Sequence, residues 1–336
     1  MKEYKPYKVI IQPYGEKNSP IARDLQALCY MSVKKLKKSL VDFLIKKEYD
    51  VEFGNDYIYA RCETSKEKEI MLTAHMDTVQ NPRGAGVIYV SKCNDKHYLW
   101  SPNGIGGDDR CGVLAIKRII EKGYRPTILF CDKEESGGAG SEEFSEKYAG
   151  KIDLNCIIEL DRQGSKDLVF YDEDNEEWQK FLVELTGWKK ARGSFSDICK
   201  LYDLGCASVN LSVGYYHQHT KDEYIILEEL ENSISITEKI INSVHKKWEH
   251  IENRVGFYDE NYYFMSGRCN RYWEYSDYEI VYKDKNGNID TEIMSAYSEK
   301  QAMKDAELYY DISKEDIIAV YCLNSEKDDI YELEKR

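Results

Sequence analysis

Residues 70–79, "IMLTAHMDTV", pass through five apolar or small positions before reaching a histidine and, two residues later, an aspartate. A short continuous apolar run suits a strand covered on both faces, the kind found in an α/β sheet, better than a half-solvated antiparallel strand. His75 at its end has two readings. It is either a satisfied histidine at a strand end, with Asp77 opening a turn, or a metal ligand whose ring Asp77 holds, because ligating imidazoles usually donate their second N–H to a carboxylate. The triplet alone does not separate the two.

Outward from this stretch, strand-like and helical runs alternate. Toward the N-terminus, Leu25, Leu28, Cys29, Leu36, Leu40, Phe43 and Leu44 recur at helical spacing with lysines between them, which predicts one amphipathic helix from Ile21 to about Lys47. "YIYARC" and "EIMLTAH" read as strands, "CGVLAIKRIIEK" as a helix, "PTILFC" as a strand, "SEEFSEKY" as a helix and "NCIIELD" as a strand. "WQKFLVELTG", "ASVNLSV" and a helix carrying Leu230, Ile234, Thr237, Ile241 and Val244 complete the series. The expectation is a three-layer α/β/α unit with a mostly parallel mixed sheet, spanning 1–250, with ligands at the carboxyl ends of the strands. After Trp248 the character changes. A tyrosine-dense segment, an Asn286-Gly287 hairpin signal, a helix opening at Ser298 with Gln301 in capping-box spacing and the strand "IIAVYCL" predict a small α+β domain over 251–336.

Composition narrows the function classes. A formal net charge of −14 over 336 residues argues against the basic face that nucleic acid or an anionic membrane requires, so neither is expected as a partner. The ten cysteines stand singly, several inside apolar runs, as buried thiols of a reducing cytoplasm would. No stretch approaches the length of a membrane span. A cytoplasmic protein whose partners are small molecules, peptides or proteins is the reading that remains, with homo-oligomerisation left open.

The strand ends then repeat the pattern of His75. "SPNGIGGDDRCGVLAI" sets Asp108 and Asp109 after a glycine-rich turn and before a helix; an N-cap accounts for one aspartate, while Asp108 remains at a loop mouth beside a like charge. "ILFCDKEESGGAGSEEF" ends a strand in Glu134 and Glu135, which is either a solvated acidic loop or a pair that divides metal binding from proton transfer. "NCIIELDRQG" ends in Asp161, and "ASVNLSVGYYHQHTKDEYI" ends in His217 and His219. In an α/β sheet such positions converge on one edge. His75, Asp108, Glu135, Asp161 and His219 combine imidazole with carboxylate and no thiolate, a set suited to Zn²⁺, Co²⁺ or Mn²⁺. Three ligand carboxylates and one hydroxide carry four negative charges, which two divalent cations cancel.

The order "AHMDTV", "GGDDRCG", "DKEESGGAGS", "ELDR", "HTKDE", preceded by the "GN" of "EFGNDYIYAR", resembles the di-zinc exopeptidase clan of aminopeptidases, carboxypeptidases and deacylases over about residues 20–248. The resemblance implies that His75 and Asp161 serve one metal, Glu135 and His219 the other, and that Asp108 bridges them across a cis peptide to Asp109. It implies Glu134 as general base and Asp77 as the acid orienting His75. His217, two residues from His219 on a segment read as extended, is expected to point the same way, as a substrate contact or a rim residue, and Tyr215 and Tyr216 are candidates for the oxyanion partner. The short interval between Asp161 and His219 leaves no room for the lid domain of the carboxypeptidase and tripeptidase branch, and "GSFSDICK" looks like the "SD" helix of lidless aminopeptidases. The expected activity is two-metal hydrolysis of short peptides from the amino end. Deacylation of N-acyl amino acids is the enzymatic alternative, and a non-catalytic binding protein using the tyrosine-rich tail is the alternative from another class.

Overall fold

A computed structural model of the chain describes residues 20–80, 88–93, 95–251, 276–284 and 289–296, together with 302–303, 306, 312–313, 316–322 and 331–332. The chain divides into two compact units, Met1–Arg254 and Val255–Arg336.

The first unit opens with two helices, α1 (Pro20–Cys29) and α2 (Val33–Lys46), where the apolar spacing predicts one. Spacing is blind to the break because the apolar stripe continues across it. The buried Arg110 guanidinium donates to the carbonyls of Leu28 and Met31, 3.3 Å each, supplying the end of α1 with the donors a further turn would have given.

The remaining helices are α3 (Gly107–Glu121), α4 (Ala139–Tyr148), α5 (Glu176–Thr186) and α6 (Leu227–Ile241). The strands are β1 (Asp50–Phe53), β2 (Tyr57–Arg61), β3 (Ile70–His75), β4 (Tyr89–Cys93), β5 (Lys96–Trp100), β6 (Thr127–Cys131), β7 (Cys156–Arg162), β8 (Asp167–Val169), β9 (Lys189–Ala191), β10 (Ser208–Ser212), β11 (Tyr215–Tyr216) and β12 (Tyr224–Ile226). Eight of them form a mixed sheet in the order β1-β2-β6-β3-β7-β10-β8-β9, parallel across its centre β6-β3-β7-β10.

Alternation along the central strands sorts the two faces. Ile70, Leu72 and Ala74 of β3, with Ile158 and Leu160 of β7, pack in the cluster that holds residues of α1, α2, α3 and α6. Met71 and Ile157 join the opposite cluster with Phe144 and Tyr148 of α4. The three layers thus follow from apolar residues on both sides of β3 and β7.

A second, four-stranded antiparallel sheet, β11-β12-β5-β4, was not expected from the sequence. Its strands are two to five residues long and rich in Lys, Ser and Tyr, so they carry no apolar run to announce them. No helix among the described residues is long and apolar enough to cross a membrane.

The second unit holds β13 (Ser276–Lys283), β14 (Ile289–Ala296), β15 (Ile317–Cys322) and β16 (Tyr331–Glu332) in the antiparallel order β14-β13-β15-β16. Ile280, Ile312, Ile317 and Val320 pack there with Ala302 and Ala306. The β13–β14 hairpin pairs Lys283 with Ile289, so its connection contains Asn286-Gly287. That dipeptide, the Ser298 and Gln301 capping box and residues 252–275 of the tyrosine-dense stretch lie outside the described residues.

Candidate metal centre

Met71 of β3 and Ile157 of β7 face α4, so by the two-residue alternation of strands Thr73 and His75, and Glu159 and Asp161, face the same way. Parallel register pairs Thr73 with Glu159, which brings His75 and Asp161 out of neighbouring strand ends on one face. His75 Nε2 lies 3.3 Å from Asp161 Oδ1 and 2.9 Å from Asp108 Oδ1. The other oxygen of Asp108, Oδ2, lies 3.2 Å from His219 Nε2, and His219 Nε2 lies 2.9 Å from Glu135 Oε2. The five positions therefore meet, in two halves joined by the two oxygens of one carboxylate. Glu134 stands further back, its Oε2 4.0 Å from His75 Nε2.

The glycine-rich loop explains how Asp108 reaches between the histidines. Asp108 and Asp109 have non-helical backbone angles and are joined by a cis peptide, so regular helix begins only after them. Asp109 is the N-cap: its Oδ1 accepts the N–H of Gly112, three residues on, at 2.8 Å, and its Oδ2 accepts the N–H of His75 at 3.3 Å. Asp108 is left free of capping duty.

Asp77 does more than the sequence indicated. Its Oδ1 lies 3.3 Å from His75 Nδ1, close but not aligned as a full hydrogen bond. Its two oxygens also accept the backbone N–H groups of Glu134 and Glu135, 3.2 Å each. One carboxylate thereby orders both the imidazole and the acidic loop. Asp161 is held by groups that sequence reasoning passed over: Ser196 Oγ donates to Oδ2 at 3.0 Å, and the Asn210 side-chain carbonyl accepts the Asp161 N–H at 3.0 Å. Tyr215 Oη donates to the Asp161 carbonyl at 2.7 Å and lies 3.2 Å from Oδ1, while Tyr216 Oη donates to Glu229, so both candidate oxyanion hydroxyls are engaged elsewhere. The "SD" segment is a 3₁₀ turn, Asp197–Lys200, too short for the helix expected there.

His217 departs from the expectation of an extended segment. Both it and His219 have left-handed backbones, φ 56° and 62°, so strand alternation does not apply. The His217 ring packs against Tyr224, 5.6 Å between centroids.

The cluster's electrostatics are those of crowded, buried acids. Burial pushes Glu134 and Asp161 up from the usual carboxylate range, and neighbouring carboxylates add to the rise. Burial lifts Glu135 as well, with the Asp108 charge beside it. Asp108 is the exception: burial opposes its ionisation, but bonds from His219 and His75 hold it below its ordinary value. Burial disfavours the charged imidazoles too, yet the surrounding carboxylates outweigh it, raising His75 well above its usual value and His219 to about 11.

These groups fit divalent cations. His75 Nε2 faces two carboxylate oxygens within 3.3 Å and a third at 4.0 Å, whereas a single N–H can serve one. Glu135 Oε1 is buried without a hydrogen-bond partner. Two triplets, His75 with Asp108 and Glu135, and His75 with Asp109 and Asp161, offer ligand atoms within 4.8 Å of one another. Oxygen and imidazole donors without thiolate match zinc, cobalt or manganese.

No family profile and no curated protein sequence matches the chain. Solved structures do. The aminopeptidase PepT from Bacillus cereus superposes with a TM-score of 0.56 at 16% identity, covering 67% of this chain and 98% of that one. A tripeptidase from Staphylococcus aureus gives 0.55 at 14% identity over 67% and 97%. The TET1 peptidase of Pyrococcus horikoshii, which assembles into a tetrahedron or a large octahedral shell, gives 0.50 at 14% over 66% and 99%. By its sheet order, its strand-end acids and these superpositions, the chain shares the fold of the di-zinc exopeptidase clan.

Proposed function

We propose that this protein is a two-metal hydrolase of peptide bonds, acting as an aminopeptidase on short peptides. The observation that carries the reading is the division of Asp108: each of its oxygens faces a different histidine, and each histidine has a further carboxylate of its own, Asp161 or Glu135. His75 and Asp161 would hold one ion, His219 and Glu135 the other, with Asp108 shared between them. Two bound divalent ions, zinc in the first instance, would supply a more acidic water and a polarised scissile carbonyl.

The chain's own residues do the rest. Glu134 lies at the edge of the cluster and outside its shortest contacts, so its carboxylate is free to take the proton of the attacking water and return it to the leaving amine. Burial raises its proton affinity, which favours taking the proton from the water. Asp77 keeps the His75 ring turned toward the centre and fixes the backbone of Glu134. Ser196, Asn210 and Tyr215 hold Asp161 in one orientation. The lidless arrangement, a role for His217 at the substrate and self-assembly belong to the same proposal.

The test is elemental analysis of the purified protein beside a cleavage panel of dipeptides, aminoacyl anilides and N-acyl amino acids. Two divalent ions per chain with cleavage confined to free amines supports the aminopeptidase; cleavage of blocked amines alone would turn the reading to deacylation.

A further inference from the structure

The motif "HTKDE" ends in a residue with no role so far. Glu223 is buried, 1% exposed, and among the described residues its carboxylate meets no cation. Its Oε2 accepts the backbone N–H of Gly106 at 2.7 Å and its Oε1 that of Asp108 at 3.0 Å. A buried carboxylate spent wholly on main-chain donors is expensive unless its position is needed, and here it joins the segment after His219 to the loop carrying the shared Asp108. Gln80 makes a second junction. Its Nε2 donates to the carbonyl of Thr220, next to His219, at 2.9 Å. Its side chain also rests where a Cβ on Gly104 would stand, so the glycine loop before Asp108 packs on it.

His219 needs such anchoring. It is 38% exposed with a left-handed backbone, in contrast to His75, which is 1% exposed and locked in a central strand. The neighbouring bonds of Thr220 run to His217 and Asp222, within the same turn.

We propose that Glu223 and Gln80 are positioning residues that set the His219 half of the metal centre, leaving the His75 half preformed by the sheet. The inference rests on the two-metal reading and concerns how its second half is built. Glu223→Gln keeps the shape but offers one acceptor oxygen to two N–H groups. Gln80→Ala removes the tether at a half-buried position that the core does not depend on.

Calorimetric titration of the metal-stripped protein with Zn²⁺ tests it, using His219→Ala to identify the binding phase that belongs to His219. In Glu223→Gln that phase weakens 10- to 100-fold, the usual effect of removing a group that orients ligands, and in Gln80→Ala it weakens less; the other phase stays within about twofold. Wild-type affinity in both phases of folded Glu223→Gln overturns the proposal, as does equal weakening of both. Should Glu223→Gln fail to fold, unchanged phases in Gln80→Ala overturn it. A wild-type protein that takes up no Zn²⁺ would instead defeat the two-metal reading, and this inference with it.

Discussion

Glu134→Gln isolates the proton-transfer step from metal binding. The replacement has nearly the same volume and leaves the cluster's shortest contacts intact, because none of the 2.9 to 3.3 Å approaches among His75, Asp108, Asp161, His219 and Glu135 involves Glu134. Its backbone N–H, bonded to Asp77, is also unchanged. What disappears is a largely enclosed group able to gain and lose a proton. General base catalysis contributes about 10²- to 10⁴-fold, or roughly 3 to 5 kcal/mol of barrier, so kcat on an aminoacyl anilide should fall by that factor. Zinc content and KM should stay within about threefold, since the lost interaction matters only as the water is deprotonated. The measurement is steady-state kinetics with metal analysis of the same sample. Full activity in the variant with both ions bound would remove Glu134 from its role.

Other outcomes follow from the same geometry. Because neighbouring carboxylates raise His219 to about 11, its imidazole must shed a proton to bind metal near neutrality; uptake should release protons, and apparent affinity should rise with pH, by about tenfold per unit for each proton displaced. Calorimetry in two buffers of different ionisation enthalpy reads that release, and its absence would contradict the arrangement. Gly112→Ala should destabilise the fold by about 1 to 3 kcal/mol or more in urea titration, since a Cβ there would overlap the Leu160 carbonyl of β7 and the Asp109 carboxylate. Trp178→Ala should cost about 3 to 5 kcal/mol in the same assay, because the ring is fully buried against Phe181 and Trp248 and its N–H donates to the Ser208 carbonyl.

The sequence by itself determined the α/β unit. The runs of β3, β6 and β7 are largely apolar on both sides, and only a sheet covered on both faces buries them. It also located the acids and histidines at the ends of those runs, because a polar residue closing an apolar strand is legible as a change of pattern. The small sheet β11-β12-β5-β4 was not legible: its short polar strands are stabilised by partners more than a hundred residues away, as in the pairing of Trp100 with Tyr224. Nor could spacing reveal that the turn at 217–219 is left-handed, or that Glu223 reaches back to Gly106. Hydrophobic periodicity records which side of an element is buried; which distant main-chain donors a carboxylate meets depends on how loops cross, and that is decided only when the chain has folded.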